Sequence, residues 1–344
     1  MPESRRSLIA LTALLGMAMP ALAIEEADFA LLYETVVKPW CESNSTIGSL
    51  IGEDGIELVH TTYWTPDDRG ALVLFQGLSE SSRKYCELAY DLRDAGFRIH
   101  AFDHRGQAFS ERILPDPADH QKAYVDEFED YVKDAKTFVE TIVAPEHARL
   151  FALGHSLGGG ILSAYAERHP EDFDALVLVA PMLQPVTDPF PPTAAYLLAR
   201  ALTHRGFGAE SAPTQAPYDP TTLTFEANTL TQSRARFEAL IKGLFVAYPE
   251  SISNVATNRW IKESMEGGGL AVLGAARLRM PILLQQADQD TRVDPVAQDR
   301  FCAWAADCDL RRYPGSRHNL LIETDSVRDR VLEDITAFLD RVAN

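Results

Sequence analysis

The sequence is short of positive charge. Its 344 residues carry 32 Lys and Arg against 50 Asp and Glu, a formal net charge of −18. So acidic a chain has no electrostatic footprint for nucleic acid and no long-range attraction to an anionic membrane. It does not exclude a lipid substrate, which can enter through an apolar mouth during transient contact with membrane lipid. Cysteine is sparse as well, limited to Cys41, Cys86, Cys302 and Cys308. No His/Cys cluster has zinc-ligand spacing, so a structural zinc site is not expected. Internal repeats and low-complexity tracts are also lacking, and the composition is that of a globular protein.

Long apolar runs are equally scarce. The one at the N-terminus, from Leu8 to Met19, is too short for a comfortable membrane span. Arg5-Arg6 precede it and Ala21-Leu22-Ala23 follow it, giving the charged, apolar and small-residue parts of a secretory signal. Residues 1–23 are therefore expected to be a cleaved signal peptide, which implies a periplasmic or secreted protein. An uncleaved anchor is the competing reading. Removing the segment takes away Arg5, Arg6 and Glu3 and leaves the chain no less acidic. Export permits disulfides. Cys302 and Cys308 flank a short polar link between a helix and a strand and are expected to pair. Cys86 falls on the apolar face of a helix and reads as an inert buried thiol. Spacing lends no support to a Cys41–Cys86 bridge.

What is present is a β-α alternation. Strands are expected at Glu57 to Trp64, Ala71 to Gln76, Arg98 to Phe102, Leu150 to Leu153, Ala175 to Val179 and Pro281 to Gln286. Helices are expected at Ser82 to Ala95, Tyr124 to Val143 and after Ser156. Such alternation gives an α/β fold, a mostly parallel sheet with helices on both faces. From about Leu183 the rhythm breaks. Pro185, Pro189, Pro191, Pro192, Pro213, Pro217 and Pro220 interrupt it, between helix-like stretches at Thr193–Leu202 and Gln232–Ala247. The expected organisation is a core at 24–182 and 276–344, with a cap or lid inserted at 183–275. Phe190, Tyr196, Leu197, Leu198, Phe207, Phe245 and Trp260 of the insertion could line an acyl pocket, or simply pack its own core.

The chemistry is carried by Gly154-His155-Ser156-Leu157-Gly158. This G-x-S-x-G pentapeptide lies between an apolar strand and a helix. A serine on so sharp a turn is exposed in strained geometry, and the glycines are there because side chains would collide. A serine hydroxyl needs a base to become a nucleophile, and the base needs an orienting carboxylate. On this scaffold the order is serine, acid, histidine. Three histidines follow Ser156. His169 is too close in sequence to reach back, and His204 lies in the insertion. His318 sits in the turn-rich loop Tyr313 to Asn319, after a strand, where open α/β sheets gather catalytic groups. The acid should follow the strand Pro281–Gln286. There Asp288, Asp290 and Asp294 compete, with Asp294 the expected cap of a helix beginning at Pro295. Spacing does not choose between Asp288 and Asp290.

Five pieces in order carry a resemblance: Phe75-Gln76-Gly77-Leu78, Asp103-His104-Arg105-Gly106-Gln107, the serine pentapeptide with Gly159, Asp290-Thr291-Arg292-Val293-Asp294, and Gly315-Ser316-Arg317-His318. With them the chain resembles the serine-hydrolase branch of the α/β-hydrolase superfamily, and within it the monoacylglycerol lipase and bacterial lysophospholipase group. The resemblance implies an α/β-hydrolase fold and hydrolysis of esters of single-chain lipids. It implies a triad of Ser156, His318 and Asp290, with Asp288 second choice for the acid. It implies an oxyanion hole from the backbone N–H groups of Leu78 and Leu157, and no cofactor or metal. Two departures stand out. Gln76 replaces the usual histidine, which affects how that loop is braced, and Ala108 stands where a glycine is common. Asp103-His104-Arg105-Gly106 reads as a buried polar brace rather than as catalytic. The alternatives are a general carboxylesterase, a peptidase or perhydrolase on the same scaffold, and a non-catalytic binding protein.

Overall fold

The computed structural model describes residues 23–66, 69–217 and 219–344. Residues 1–22 of the expected signal peptide lie outside the described residues.

Among the described residues there are ten strands: β1 Ser45–Ile51, β2 Glu57–Tyr63, β3 Ala71–Phe75, β4 Arg98–Phe102, β5 Lys122–Ala123, β6 Leu150–His155, β7 Ala175–Val179, β8 Val255–Ala256, β9 Ile282–Ala287 and β10 Cys308–Tyr313. Eight form one sheet in the order β1-β2-β4-β3-β6-β7-β9-β10. β1 and β2 are an antiparallel hairpin at one edge, β2 runs antiparallel to β4, and the remaining pairs are parallel. β5 and β8 make a separate parallel pair.

The central strands read as unbroken apolar runs because both their faces are covered. Alternate side chains feed two cores. Val73, Phe75, Ala152, Leu176 and Leu284 face one, with helices Phe128–Phe138, Leu157–Arg168 and Asn258–Gly274 over them. Leu72, Leu74, Phe151, Leu153 and Val177 face the other, under helices Cys86–Asp91 and Asp325–Ala343 and the helical segment 29–43. This is the expected α/β-hydrolase architecture.

Three expectations need correction. First, Cys86 is not a free thiol. It is bonded to Cys41 with a Cα separation of 6.0 Å, because the segment 29–43 folds back against helix Cys86–Asp91. Spacing could not show that packing. Cys302 and Cys308 are bonded as expected, Cα to Cα 5.3 Å. Second, helix Asn258–Gly274, which the boundary at 275 assigns wholly to the insertion, packs on helix Leu157–Arg168 of the core as well as on helix Pro192–Leu202 of the insertion. It is the crossover between β7 and β9, and it packs on the core. A Cβ on Gly267 would lie 2.2 Å from the Phe128 ring, and one on Gly268 would lie 2.3 Å from the Leu183 carbonyl oxygen. Glycines that look like helix breakers are here the condition of close helix packing. Third, the helix expected from Tyr124 starts only at Phe128, where Glu127 and Asp130 form a reciprocal capping box.

A buried ionic cluster ties the insertion to the core. Arg236, fully buried, donates to Glu87 (2.9 Å), Asp325 (2.8 Å) and the Ile24 carbonyl (2.8 Å). Arg328, equally buried, donates to Asp91 and to the Leu321 carbonyl. Burying two guanidinium groups is tolerable only because each meets carboxylates and carbonyls in good geometry.

Candidate active site

Ser156 stands between β6 and helix Leu157–Arg168 with φ 53° and ψ −120°. That is a costly conformation for a residue with a side chain, and it persists because the surroundings fix it. The Ser156 N–H donates to the Val179 carbonyl (3.0 Å), and its carbonyl accepts from the Met182 N–H (2.7 Å). Gly158 is required next to it, since a Cβ there would sit 2.1 Å from the Phe75 carbonyl oxygen.

His318 reaches the serine from the loop after β10. Its Nε2 lies 2.9 Å from Ser156 Oγ, and its Nδ1 lies 2.8 Å from Asp290 Oδ2. All three side chains are buried or nearly so. Asp290 follows β9, and its other oxygen accepts from the N–H groups of Arg292 (2.7 Å) and Val293 (3.1 Å). Burial alone pushes this carboxyl up. The His318 imidazole and the backbone donors outweigh it and hold Asp290 below the ordinary carboxylate value. With the Nδ1 proton directed at Asp290, Nε2 is free to accept the serine proton.

The competing residues go elsewhere. Asp288 is exposed and accepts from the Gly315 N–H at 3.1 Å. Asp294 caps helix Pro295–Trp304 through the Val296 N–H at 2.9 Å. His169 lies against Tyr165 (ring centroids 4.9 Å apart) at the far end of the helix that follows Ser156, and His204 is exposed.

The loop after β3 carries Leu78, which lines the cavity with Ser156 and His318. Leu157 is the first residue of its helix, so its N–H has no acceptor one turn back. The Asp103–Gln107 segment braces the Leu78 loop from below. Asp103 accepts from the Ser82 N–H (2.6 Å), and Gln107 accepts from the Ser79 N–H (3.1 Å). His104 Nε2 lies 3.1 Å from the Gln76 carbonyl. Burial pushes the Asp103 carboxyl up to about 6 and the His104 imidazole down to about 4. Arg105 instead pairs with Asp134 (2.8 Å to Oδ1). Gln76, the residue that departs from the usual histidine, is fully buried. Neither of its amide atoms meets a partner among the described residues. Its main chain, not its side chain, is what the brace holds.

Above the serine lies a cavity of about 440 Å³. Phe237, Leu240, Ile241, Leu244 and Phe245 form one wall, and Val186, Trp260 and Ile261 form another. Of the seven suggested pocket residues only Phe245 and Trp260 line it. Phe190, Tyr196, Leu197, Leu198 and Phe207 do not. Helix Pro192–Leu202 buries Ala195 and Ala199, ties Tyr196 to Glu266 (2.8 Å), and turns Leu197 and Leu198 outward. Asn228 lines the cavity, and its side-chain oxygen accepts from the N–H groups of Leu230 and Thr231. That role is a turn brace. The aliphatic wall at Leu240, Ile241 and Leu244 was missed in the sequence, although it continues the helix-like stretch from Gln232. Among the described residues no group of three or more His, Cys, Asp or Glu could hold a metal ion, and no helix is long and apolar enough to cross a membrane.

Comparison with known proteins agrees with this architecture. A family model described as "Serine aminopeptidase, S33" matches residues 66–325. The chain is similar to lysophospholipase L2 of Escherichia coli K12, 33% identical over 304 residues that cover 84% of this chain and 86% of that one. It is similar to a monoacylglycerol lipase of Mycolicibacterium smegmatis, 27% identical over 85% of this chain and 95% of that one. In three dimensions it resembles a monoglyceride lipase from Saccharomyces cerevisiae solved with a substrate analogue. That match has a TM-score of 0.68 and 21% identity, and covers 88% of this chain and 96% of the other.

Proposed function

Because the chain belongs to the serine aminopeptidase S33 family and is an ester hydrolase of the α/β-hydrolase fold, we propose that it cleaves carboxylic esters of single-chain lipids. The observation that carries this reading is the Ser156–His318–Asp290 chain of hydrogen bonds, 2.9 and 2.8 Å long, in a cavity with an aliphatic wall.

Ser156 Oγ attacks the ester carbonyl carbon while His318 Nε2 takes its proton. The N–H groups of Leu78 and Leu157 hold the oxyanion. The tetrahedral intermediate collapses, and His318 returns the proton to the departing alcohol. Water then attacks the acyl-serine, activated by the same imidazole. Asp290 keeps the imidazole in the correct tautomer and stabilises its cationic form. The reaction needs neither metal nor cofactor.

The cavity's size and its aliphatic wall favour a single acyl chain. One observation disfavours an aminopeptidase: such an enzyme needs a free carboxylate to receive the substrate's ammonium group. The acidic side chain among the described lining residues, Glu80, is already committed to protein donors. The names of the relatives support lysophospholipids and monoacylglycerols as the substrate class. Export to an oxidising compartment is part of the proposal. It rests on the Arg5-Arg6, apolar and Ala21-Leu22-Ala23 sequence parts and on the two disulfides.

The test compares purified protein and Ser156→Ala on lysophosphatidylcholine, monoacylglycerol and a p-nitrophenyl short-chain ester. The wild type should hydrolyse the lipids and the variant nothing. Undiminished turnover by Ser156→Ala would overturn the assignment of the nucleophile. Turnover of the soluble ester alone would make the protein a general carboxylesterase.

A further inference from the structure

Glu80 lies two residues beyond Leu78, and no step of the reaction uses it. Its side chain is buried, 7% exposed. One oxygen accepts from the Gly77 N–H (2.9 Å) and the Tyr85 hydroxyl (2.8 Å), and lies 3.2 Å from His155 Nδ1. The other accepts from the Asn319 side-chain amide (2.9 Å) and the Lys84 ammonium. Three of these partners are sequence neighbours of the groups that react. Gly77 precedes Leu78, His155 precedes Ser156, and Asn319 follows His318. One carboxylate therefore holds the oxyanion loop, the end of the nucleophile strand and the histidine loop at once, across sequence separations of 75 and 239 residues.

We propose that Glu80 is the positioning residue of this site, setting the oxyanion loop, Ser156 and His318 in register with one another. The inference rests on the triad reading above. Two features make the carboxylate suited to this task. An ionised carboxylate is an acceptor only, with room for about four donors, and here five groups surround it. The assembly is also close-packed: a Cβ on Gly77 would lie 2.9 Å from His155 Nδ1 and 3.0 Å from the Glu80 carboxyl carbon. The His155 ring in turn lies against the His318 ring, centroids 5.2 Å apart, so a shift at Glu80 reaches the base directly. Although burial raises its proton affinity, Lys84 and His155 prevail and keep the group well below the ordinary range, hence ionised.

The chemistry of the amide decides the test. A glutamine at this position keeps the shape, but it must turn its NH₂ toward one set of donors. It therefore releases either the Gly77–Tyr85–His155 side or the Lys84–Asn319 side. Glu80→Gln is expected to lower kcat on the order of 10²-fold on a short-chain ester, the cost of misplacing catalytic groups by about an ångström. KM should change little, because the Glu80 carboxylate is taken up by protein donors and not offered to the substrate. Asn319→Ala removes only the histidine-loop arm and should lower kcat roughly tenfold, again at unchanged KM. It serves where Glu80→Gln does not fold. Thermal unfolding and circular dichroism establish that each variant is folded, and a fluorophosphonate probe reports whether Ser156 is still labelled. Slower but stoichiometric labelling with a kcat loss supports the proposal. Folded variants with unchanged kcat, or with a loss confined to KM, overturn it. Undiminished activity in Ser156→Ala sinks the triad reading itself, whereas an inactive Ser156→Ala beside a fully active Glu80→Gln sinks only the role of Glu80.

Discussion

Three aspartates share the loop after β9, and geometry gives each a different task. Asp290 meets His318, Asp288 ties down Gly315, and Asp294 caps a helix. Asp290→Asn should keep the fold and lower kcat by about 10⁴-fold, because the amide favours the wrong histidine tautomer. Asp288→Asn and Asp294→Asn should cost far less. Steady-state kinetics on one soluble ester checks all three, and a larger loss in Asp288→Asn would move the acid by two residues. A second residue-scale prediction concerns Asp103, whose folded-state carboxyl titrates near 6 because burial raises it from 3.8. The sign follows from linkage. The fold prefers the protonated form, so this group favours folding most below 3.8. Its contribution declines as pH rises toward about 6 and is constant beyond. The total change is about 3 kcal/mol at most. Urea unfolding at pH 4 and at pH 7 should show that Asp103→Asn lacks this part of the pH dependence. A variant that follows the wild type across the range would mean that Asp103 is not titrating there.

At the scale of elements, the two disulfides should be unequal. The Cys41–Cys86 bridge spans 45 residues and the Cys302–Cys308 bridge spans 6. Loop-closure entropy makes the first worth about 4 kcal/mol and the second about 2 kcal/mol. Serine pairs replacing each bridge, compared by urea denaturation, should show that ranking. The reverse ranking would mean that segment 29–43 stays docked without its bond. That docking was invisible in the sequence, as was the long helix Asp325–Ala343 over the same face. The central strands were legible because burial on both sides leaves unmistakable apolar runs, as in Ala175 to Val179. The serine elbow was legible because its glycines answer a local steric demand. Helix Asn258–Gly274 was not anticipated in the sequence, and the glycines within it make sense only beside their neighbours, the Phe128 ring at Gly267 and the Leu183 carbonyl at Gly268. The Glu80 cluster shows the same limit, since its partners are scattered over 239 residues.

Across the whole molecule, the triad residues and the acyl wall come from different parts of the chain and do different work. In the proposed reaction Ser156 and His318 act at the ester group and Asp290 acts through His318, so all three serve any acyl chain alike. Chain length can be felt only by apolar surface beyond the ester, and residues 234–247 supply one wall of it. That segment is anchored through fully buried Arg236 to Glu87 and Asp325, so its wall stands in fixed relation to the serine. Each methylene kept from water is worth roughly 0.8 kcal/mol, so several lost contacts cost a long-chain ester orders of magnitude in kcat/KM. Leu240→Ala, Ile241→Ala and Phe245→Ala should therefore depress palmitoyl-ester turnover far more than butyrate turnover. Phe207→Ala, at a side chain 51% exposed and outside the cavity, should leave the ratio between the two substrates unchanged. The measurement is that ratio for each variant, not the absolute rate, because a general loosening of the fold lowers both rates together. Equal losses on both esters at all three wall positions would show that the wall supports the fold without selecting the chain.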